Sequence, residues 1–274
     1  MAQDTFQVQA NKIMTVEKDF KNILTLKRAM LKNIIDSAYY AGASSAHIGG
    51  ALSSVDIVAT LFSEFIKINP KNISEVDRDY FILSKGHACL ALYCLLYEVG
   101  IIKKKTLMTY GKDNSLLMQH ASHHIKGVNF STGSLGHGLS VATGMALSNK
   151  ISNVISKIYV LLSDGEMNEG STWEALLFAS HHRLDNLVVI VDYNKMQSLT
   201  FTKKTLDIEP LKRKFESFGC KALSINGHNY SQLYKALNSS NKKKPLVIIA
   251  NTIKGKGVRF MENNIAWHYK SPSK

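Results

Sequence analysis

Two polar side chains follow two buried apolar runs near the middle of the chain. Asp164 comes soon after the run 158–162, and Asn194 comes soon after the run 187–191. Short apolar runs are typical of strands covered on both faces, and two strands joined by one helix run parallel. Their carboxyl ends share one edge of the sheet, so Asp164 and Asn194 should converge and offer oxygen ligands to Mg²⁺ or Ca²⁺. Gly165 allows the backbone to approach a ligand, and its N–H could bind a phosphate.

Further turns carry residues that could take part in chemistry. His47 lies among small residues, and His87 follows the apolar run 80–83 at the start of a predicted helix, a position that favours anions. Imidazole groups transfer protons near neutral pH. The Gly-rich turn 131–138 opens a helix of small residues, which is a weaker indication of a ligand-binding loop.

Three more histidines lie in the segment 101–130, which has no clear periodicity. They are His120, His123 and His124. One interpretation is a zinc site, although no paired cysteines and no second close pair of histidines accompany them. The other interpretation is a surface loop that contains one functional histidine.

The rest of the pattern alternates helices with short strands. Apolar residues recur at helical spacing from Ile23 to Ala41, and the sequence Ser53-Ser54-Val55-Asp56 predicts the start of the next helix by a capping box. Such alternation predicts an α/β fold, a doubly wound parallel sheet flanked by helices, in one domain over residues 1–274. Residues 1–20 are expected to form a loose N-terminal extension. Strands are predicted at residues 80–83, 158–162, 187–191, 221–225 and 246–250.

Composition narrows the class of protein. The net charge of +13 could indicate nucleic-acid binding, but the lysines occur in short groups without interleaved aromatic residues, as on a solvated surface, so no nucleic-acid partner is predicted. No apolar run approaches the ~18 residues of a membrane span, and the N-terminus lacks the apolar core of a signal peptide. Three cysteines are too few for a disulfide framework. We therefore predict a cytoplasmic protein without a membrane segment.

Taken in order, these motifs resemble those of transketolases. The segment 163–166, with Asn194 thirty residues beyond Asp164 (194 − 164), is similar to the thiamine diphosphate signature. The resemblance extends from about residue 23 to residue 272. The other matching motifs are Ala46-His47-Ile48-Gly49-Gly50, Lys85-Gly86-His87, His120, Thr132-Gly133-Ser134-Leu135-Gly136-His137-Gly138, and Trp267-His268 after Lys254-Gly255-Lys256-Gly257.

The resemblance implies a site for thiamine diphosphate and a divalent cation, Mg²⁺ or Ca²⁺. The implied cation ligands are Asp164, Asn194 and the Met196 carbonyl. The implied cofactor-binding residues are His87, Gly133, Leu135, Gly165, Glu169, Asn194 and His268. The implied catalytic residues, which face the substrate and carry protons, are His47, His87, His120 and His268.

The resemblance covers only the pyrophosphate-binding domain, so the chain resembles the N-terminal subunit of a split transketolase. The implied partner is a C-terminal subunit with the pyrimidine-binding domain, in an α₂β₂ assembly. The implied reaction transfers a two-carbon ketol unit from a ketose phosphate to an aldose phosphate, and the chain alone should not perform it. Glu166 and Asp192 are expected to be helpers or solvated.

Four residues depart from the transketolase pattern: Ser163, His137, Ala121 and Tyr269. The last three are expected on the substrate side, which leaves open a different ketose or α-keto acid as substrate, in modified-sugar biosynthesis. An alternative of another class is a non-catalytic thiamine-binding or scaffolding subunit.

Overall fold

A five-stranded parallel sheet forms the centre of the domain. Its strands are Tyr80–Leu83 (β1), Ile158–Ser163 (β2), Leu187–Tyr193 (β3), Lys221–Asn226 (β4) and Leu246–Asn251 (β5). The computed structural model describes residues 2–42 and 46–273, with side chains from Lys21 onward, and orders the strands β1-β2-β3-β5-β4. Each strand includes its predicted range, and the predicted parallel α/β sheet is confirmed.

Helices cover both faces of the sheet. They are Ala2–Tyr40 (α1), Ile48–Thr60 (α2), Cys89–Glu98 (α3), Lys104–Leu107 (α4), His137–Ile151 (α5), Gly170–His181 (α6), Thr202–Thr205 (α7), Leu211–Ser217 (α8) and Tyr230–Leu237 (α9). Successive strand residues point to opposite faces, so each face has its own apolar core. Tyr159 and Leu161 pack with α1, α2, α3 and α9. Val160 and Leu162 pack with α5, α6 and α8 on the other face.

The chain reverses its direction across the sheet after β4. Strands β1, β2 and β3 are neighbours in sequence order, but the chain then crosses to the far edge as β4 and returns as β5 between β3 and β4. The helix of that return, α9, packs on the face opposite α5, α6 and α8. Right-handed crossovers require this change of face when the direction reverses. Because the five strands are parallel, all their carboxyl ends share one edge.

Helix α2 begins earlier than the sequence pattern predicts. The capping-box prediction of a start at Ser53 is wrong, because the helix begins at Ile48 with His47 as its N-cap residue. The hydroxyl of Ser53 instead donates to Asp192 Oδ2 at 2.6 Å, and that of Ser54 donates to the Gly50 carbonyl at 2.8 Å. Serine inside a helix commonly satisfies its hydroxyl as Ser54 does.

Helix α1 continues towards the N-terminus from the predicted helix that began at Ile23, as far as Ala2. The prediction of a loose extension over residues 1–20 falls on residues whose side chains lie outside the described part, and it stays a prediction.

One buried segment has the length and composition of a membrane span. The segment Ile48–Phe65 consists of α2 and the π-helical turn Leu61–Phe65, and its 18 residues have a mean hydropathy of 1.3. The expectation that no segment approaches the length of a membrane span is therefore wrong. However, 83% of this segment is buried inside the domain. It packs against α1, α3 and the sheet, as the core helix of a globular domain does.

Two glycines of α5 lead to opposite predictions. A Cβ at Gly144 would meet nothing within 4 Å, whereas a Cβ at Gly138 would lie 2.8 Å from Ser84 Cα. We expect Gly144→Ala to raise the free energy of unfolding by ~0.5–1 kcal/mol, because alanine loses less backbone entropy in a helix. Gly138→Ala should lower it by ~1–3 kcal/mol, because the Ser84 backbone must move. Urea unfolding of the chain measures both, and equal effects would contradict this packing.

Candidate active site

A cleft opens at the edge where the carboxyl ends of the strands meet. Of the predicted site residues, Glu169 lies outside this cleft, half-buried at the start of α6 and next to Gly136. The residues that line the cleft come from segments far apart in sequence, which meet because the parallel strands all end at this edge. The predicted residues that line the cleft are His47, His87, His120, Gly133, Leu135, Asp164, Gly165, Asn194, Met196 and His268.

The predicted cation ligands lie together on one wall of the cleft. Asp164 Oδ2 accepts hydrogen bonds from the Lys195 N–H at 2.7 Å and from Thr202 Oγ1 at 3.1 Å. Asn194 Oδ1 accepts from the Met196 N–H at 3.1 Å, which orders the loop that presents the Met196 carbonyl. A carboxylate, an amide and a backbone carbonyl make an all-oxygen donor set, as Mg²⁺ and Ca²⁺ prefer.

The electrostatics of this wall also fit a cation. Burial and the neighbouring Asp192 raise the pKa of Asp164 to about 6. A divalent cation would stabilise the ionised form of Asp164 and so offset the effect of burial. The donor set present therefore fits a divalent cation.

A buried ion pair lies at the base of the cleft. The Lys85 ammonium pairs with Asp192 Oδ2, and the two side chains are 1% and 0% exposed. Asp192 also accepts hydrogen bonds from Ser53 Oγ at 2.6 Å and from Thr252 Oγ1, which connect β3 to α2 and to the segment after β5. Burial alone would raise the pKa of Asp192, but Lys85 and these hydrogen bonds bring it below its usual value. Asp192 is thus a structural helper and is not solvated.

A second buried carboxylate, Glu166, holds the Gly-rich turn against the sheet. Its Oε1 accepts hydrogen bonds from the Gly136 N–H at 3.1 Å and from the Ser84 hydroxyl. Its Oε2 accepts from the Ser163 N–H at 2.8 Å, and the two residues form a capping box on the turn that follows β2. One fully buried side chain therefore fixes the ends of β1 and β2 and the Gly-rich turn.

Three histidines surround His47 in the cleft. The centroid of its ring lies 5.6 Å from those of His87 and His120 and 5.2 Å from that of His268. His47 has a left-handed backbone with φ of 43°, which is uncommon for a residue other than glycine. Its buried Nδ1 has no hydrogen-bond partner. An unusual backbone and an unpaired buried nitrogen are features of sites that bind a ligand.

These imidazoles are neutral at physiological pH. Burial and His120 lower the pKa of His47 to about 4, and burial and Lys254 lower the pKa of His268 to about 3. Burial and Lys85 hold the pKa of His87 well below its usual value. Neutral imidazole both donates and accepts hydrogen bonds, which suits the recognition of hydroxyl groups and proton transfer.

Lys254 fixes the tautomer of His268. Burial and Lys85 lower the pKa of Lys254 to about 8, so its amine remains protonated at neutral pH. The ammonium donates to His268 Nδ1 at 2.8 Å. Because an ammonium cannot accept, Nδ1 must be the acceptor, and the His268 proton resides on Nε2.

All three histidines of the segment 101–130 are exposed, but of these three only His120 lines the cleft. His123 and His124 are exposed, and their ring centroids lie 4.1 Å apart. Within the described residues, no three His, Cys, Asp or Glu side chains form a group that could hold a metal ion. The structure therefore favours the surface-loop interpretation, in which His120 reaches the cleft.

The four departures from the family pattern occupy different surroundings. Ser163 and Tyr269 line the cleft, and the Tyr269 ring lies 5.5 Å from His47. His137 is exposed and is not part of the cleft wall, and Ala121 is 3% exposed. Of the three departures expected on the substrate side, only Tyr269 lines the cleft, so that expectation is wrong for His137 and Ala121.

Comparison with known proteins places the chain in a family. Residues 26–271 match the family model described as "Transketolase, thiamine diphosphate binding domain". The chain belongs to the transketolase family. The resemblance drawn from the motifs is thus confirmed, including the capacity of this domain type to bind thiamine diphosphate.

Relatives of similar length are transketolase subunits. The chain is 43% identical over 228 residues to a subunit of the apulose-4-phosphate transketolase of Actinobacillus succinogenes, covering 82% of this chain and 83% of that one. It is 40% identical over 225 residues to 6-deoxy-6-sulfo-D-fructose transketolase subunit SqwG of Clostridium sp., covering 81% and 82%. The transketolase structure from Campylobacter jejuni matches with a TM-score of 0.81 at 31% identity. This match covers 90% of this chain but only 40% of that transketolase.

The sequence placed Lys85 and Lys254 in family motifs without a role, and Glu166 and Asp192 were expected to be helpers or solvated, but all four lie in or under the cleft. Their position was the available signal, since each follows or ends a predicted strand at the carboxyl edge. Charged residues at that edge point towards the ligand or towards one another.

We expect Asp192→Asn to lower the free energy of unfolding by ~3–5 kcal/mol, because it leaves the Lys85 ammonium buried without a counter-charge. The matched control Asp185→Asn changes a 43% exposed carboxylate that lies 3.7 Å from Lys150. Its effect should be below ~1 kcal/mol. Chemical denaturation of the two variants measures both, and a difference within error would show that the buried pair does not stabilise this edge.

Proposed function

We propose that the chain is the pyrophosphate-binding subunit of a split transketolase, which transfers a two-carbon ketol unit from a ketose phosphate to an aldose phosphate. The main support is that both the length of the chain and the residues of the cleft agree with this function. The matched relatives of similar length are named as transketolase subunits, whereas the chain covers only 40% of the Campylobacter jejuni transketolase. The cleft combines an oxygen donor set with neutral histidines, as such a reaction needs.

The cofactor-binding wall has residues suited to each part of the bound group. Thiamine diphosphate, when bound, supplies the electron sink for carbon–carbon cleavage. Asp164, Asn194 and the Met196 carbonyl would hold Mg²⁺, or Ca²⁺, against its diphosphate. The Gly165 N–H and His87 would donate to phosphate oxygens. The Gly-rich turn that Glu166 fixes would provide Gly133 and Leu135 beside the aminopyrimidine.

The histidines would bind the sugar and move protons. His268 presents an Nε2–H that can donate to a hydroxyl or carbonyl oxygen, because Lys254 occupies Nδ1. His47 offers an unpaired Nδ1, and His120 lies beside it. Neutral rings suit this work, since they exchange protons with hydroxyl groups without a fixed charge in the cleft.

The partner would be a second chain with the pyrimidine-binding domain. The names of the relatives as subunits support such a partner, and the family resemblance supports an α₂β₂ assembly. A cytoplasmic location agrees with the three cysteines, which are all free and buried. Glu169, outside the cleft beside the Gly-rich turn, is a candidate for contact with the partner.

A second candidate is a transketolase for a modified ketose. It is favoured by the relatives that are named for apulose 4-phosphate and 6-deoxy-6-sulfo-D-fructose. Tyr269, 49% exposed and next to His47 and His268, would contact such a substrate where it enters.

The purified chain alone should show little or no ketol transfer between xylulose 5-phosphate and ribose 5-phosphate, because half of the cofactor site must come from the partner. Adding the partner subunit, obtained by co-purification or from the neighbouring reading frame, should produce activity that depends on thiamine diphosphate and Mg²⁺. A coupled assay measures both. Ordinary turnover by the chain alone would overturn the split-enzyme proposal.

The same assay with a panel of donors separates the two candidates. Activity restricted to branched or sulfonated ketoses would select the second candidate, and activity with the pentose phosphates would select the first.

Cation-dependent cofactor binding should weaken below pH ~6, by about tenfold per pH unit, because a proton on Asp164 competes with the cation. The sign follows from the raised pKa of about 6: the carboxylate is ionised above that pH and is lost as a ligand as the pH falls. Asp164→Asn should weaken Mg²⁺ binding at pH 7.5 by at least ~10-fold and remove this pH dependence. Calorimetric titration of the two-chain complex with Mg²⁺ and thiamine diphosphate measures both, with Asp185→Asn as the control. A wild-type affinity that is constant from pH 7 to 5 would contradict the assignment.

A further inference from the structure

His228 forms a hydrogen-bonded bridge on the far side of the segment that carries Lys254. It lies in the turn between β4 and α9, and its side chain is 12% exposed. Its Nδ1 lies 2.7 Å from Asp56 Oδ2 of α2, and its Nε2 accepts from the Ile253 N–H at 2.8 Å. A backbone N–H can only donate, so Nε2 carries no proton, and the His228 proton resides on Nδ1 and is donated to Asp56.

The Ile253 N–H donates to a side chain, whereas nearby backbone N–H groups donate to backbone carbonyls. The Thr252 N–H and the Gly255 N–H donate to backbone carbonyls, at 3.1 and 3.0 Å. His228 therefore fixes the Thr252–Ile253 peptide, which lies one residue before the peptide that joins Ile253 to Lys254. A fixed peptide at this point limits the directions in which the backbone can present the Lys254 side chain.

Asp56 is held in its ionised form. Burial alone would raise its pKa, but the hydrogen bond from His228 and the ammonium of Lys27 lower it. Lys27 Nζ lies 2.5 Å from Asp56 Oδ1, the oxygen that His228 does not use. A charged carboxylate is a strong acceptor for the Nδ1–H of His228, so this side of the bridge is firmly defined.

We propose that His228, oriented by Asp56, is a positioning residue for the Lys254–His268 pair. By accepting from the Ile253 N–H it directs Lys254 into the cleft, where Nζ donates to the Met196 and Gln197 carbonyls and to His268 Nδ1. The tautomer of His268 then depends on the hydrogen bond between His228 and Ile253, two residues that do not line the cleft. The consequence for ketol transfer rests on the proposed function, in which His268 donates through Nε2.

The tautomers can be measured directly in the full-length chain labelled with ¹⁵N-histidine. Long-range ¹H–¹⁵N NMR spectra should show a neutral His228 protonated on Nδ1 and a neutral His268 protonated on Nε2. In His228→Ala the His268 signal should move towards the averaged position of two exchanging tautomers. His181→Ala, which removes an exposed histidine of α6, should leave the His268 signal unchanged. A His228 protonated on Nε2, or an unchanged His268 signal in His228→Ala, would overturn the inference.

The variant His228→Gln tests whether the hydrogen bonds of His228, and not only its packing, position Lys254. A glutamine could accept from the Ile253 N–H with Oε1 and donate to Asp56 with Nε2. In the two-chain complex, His228→Ala should lower kcat about three- to tenfold, the effect of one lost hydrogen bond, and His228→Gln should restore it to within about twofold. The KM for thiamine diphosphate should change less than kcat, because the cation ligands are untouched.

A lower melting temperature with unchanged kcat and unchanged His268 signals would identify His228 as merely structural and overturn the proposal, and so would a His228→Gln variant as impaired as His228→Ala. If the wild-type complex shows no ketol transfer, the proposed function fails, but the NMR spectra still decide the positioning role.

Discussion

The negative charge of Asp192 is the constraint on which the carboxyl edge of the sheet depends. A carboxylate this deeply buried is stable only when it is paired and hydrogen-bonded. The groups that satisfy it come from four places: Lys85 after β1, Ser53 in α2, Thr252 after β5, and Asn194 beside it, with Nδ2 at 3.5 Å. Satisfying one charge therefore brings together the segments that form the cleft.

The low polarity that strengthens this pair also sets the protonation of the cleft. Removal from water disfavours every charged form, so it lowers the pKa of His47 and His268 and raises that of Asp164. Burial thus shifts the pKa values of the imidazoles and of the carboxyl group in opposite directions. The histidine side of the cleft becomes neutral, and the opposite wall has a carboxyl group that gains most from a cation.

Much of this arrangement could be predicted from the sequence. Buried strands appear as short apolar runs, and parallel connections place Asp164 and Asn194 at one edge whatever the details of the loops. The start of α2 could not be predicted, because Ser53 and Ser54 are residue types typical of an N-cap, but inside the helix their hydroxyls donate to Asp192 and to the Gly50 carbonyl. The specific role of Glu166 could not be predicted, because two of its partners, Ser84 and Gly136, are distant in sequence.

The histidine cluster draws on both ends of the chain. His47 precedes α2, whereas His268 ends the 3₁₀ turn Ile265–His268, which follows all five strands. A fragment that lacks the segment of His47 or that of His268 cannot assemble the cluster, so binding in the cleft requires both segments to be packed on the folded sheet. A ligand that binds only the folded state stabilises it in proportion to the logarithm of its concentration. The supply of cofactor would then also regulate how much of the chain stays folded and escapes proteolysis.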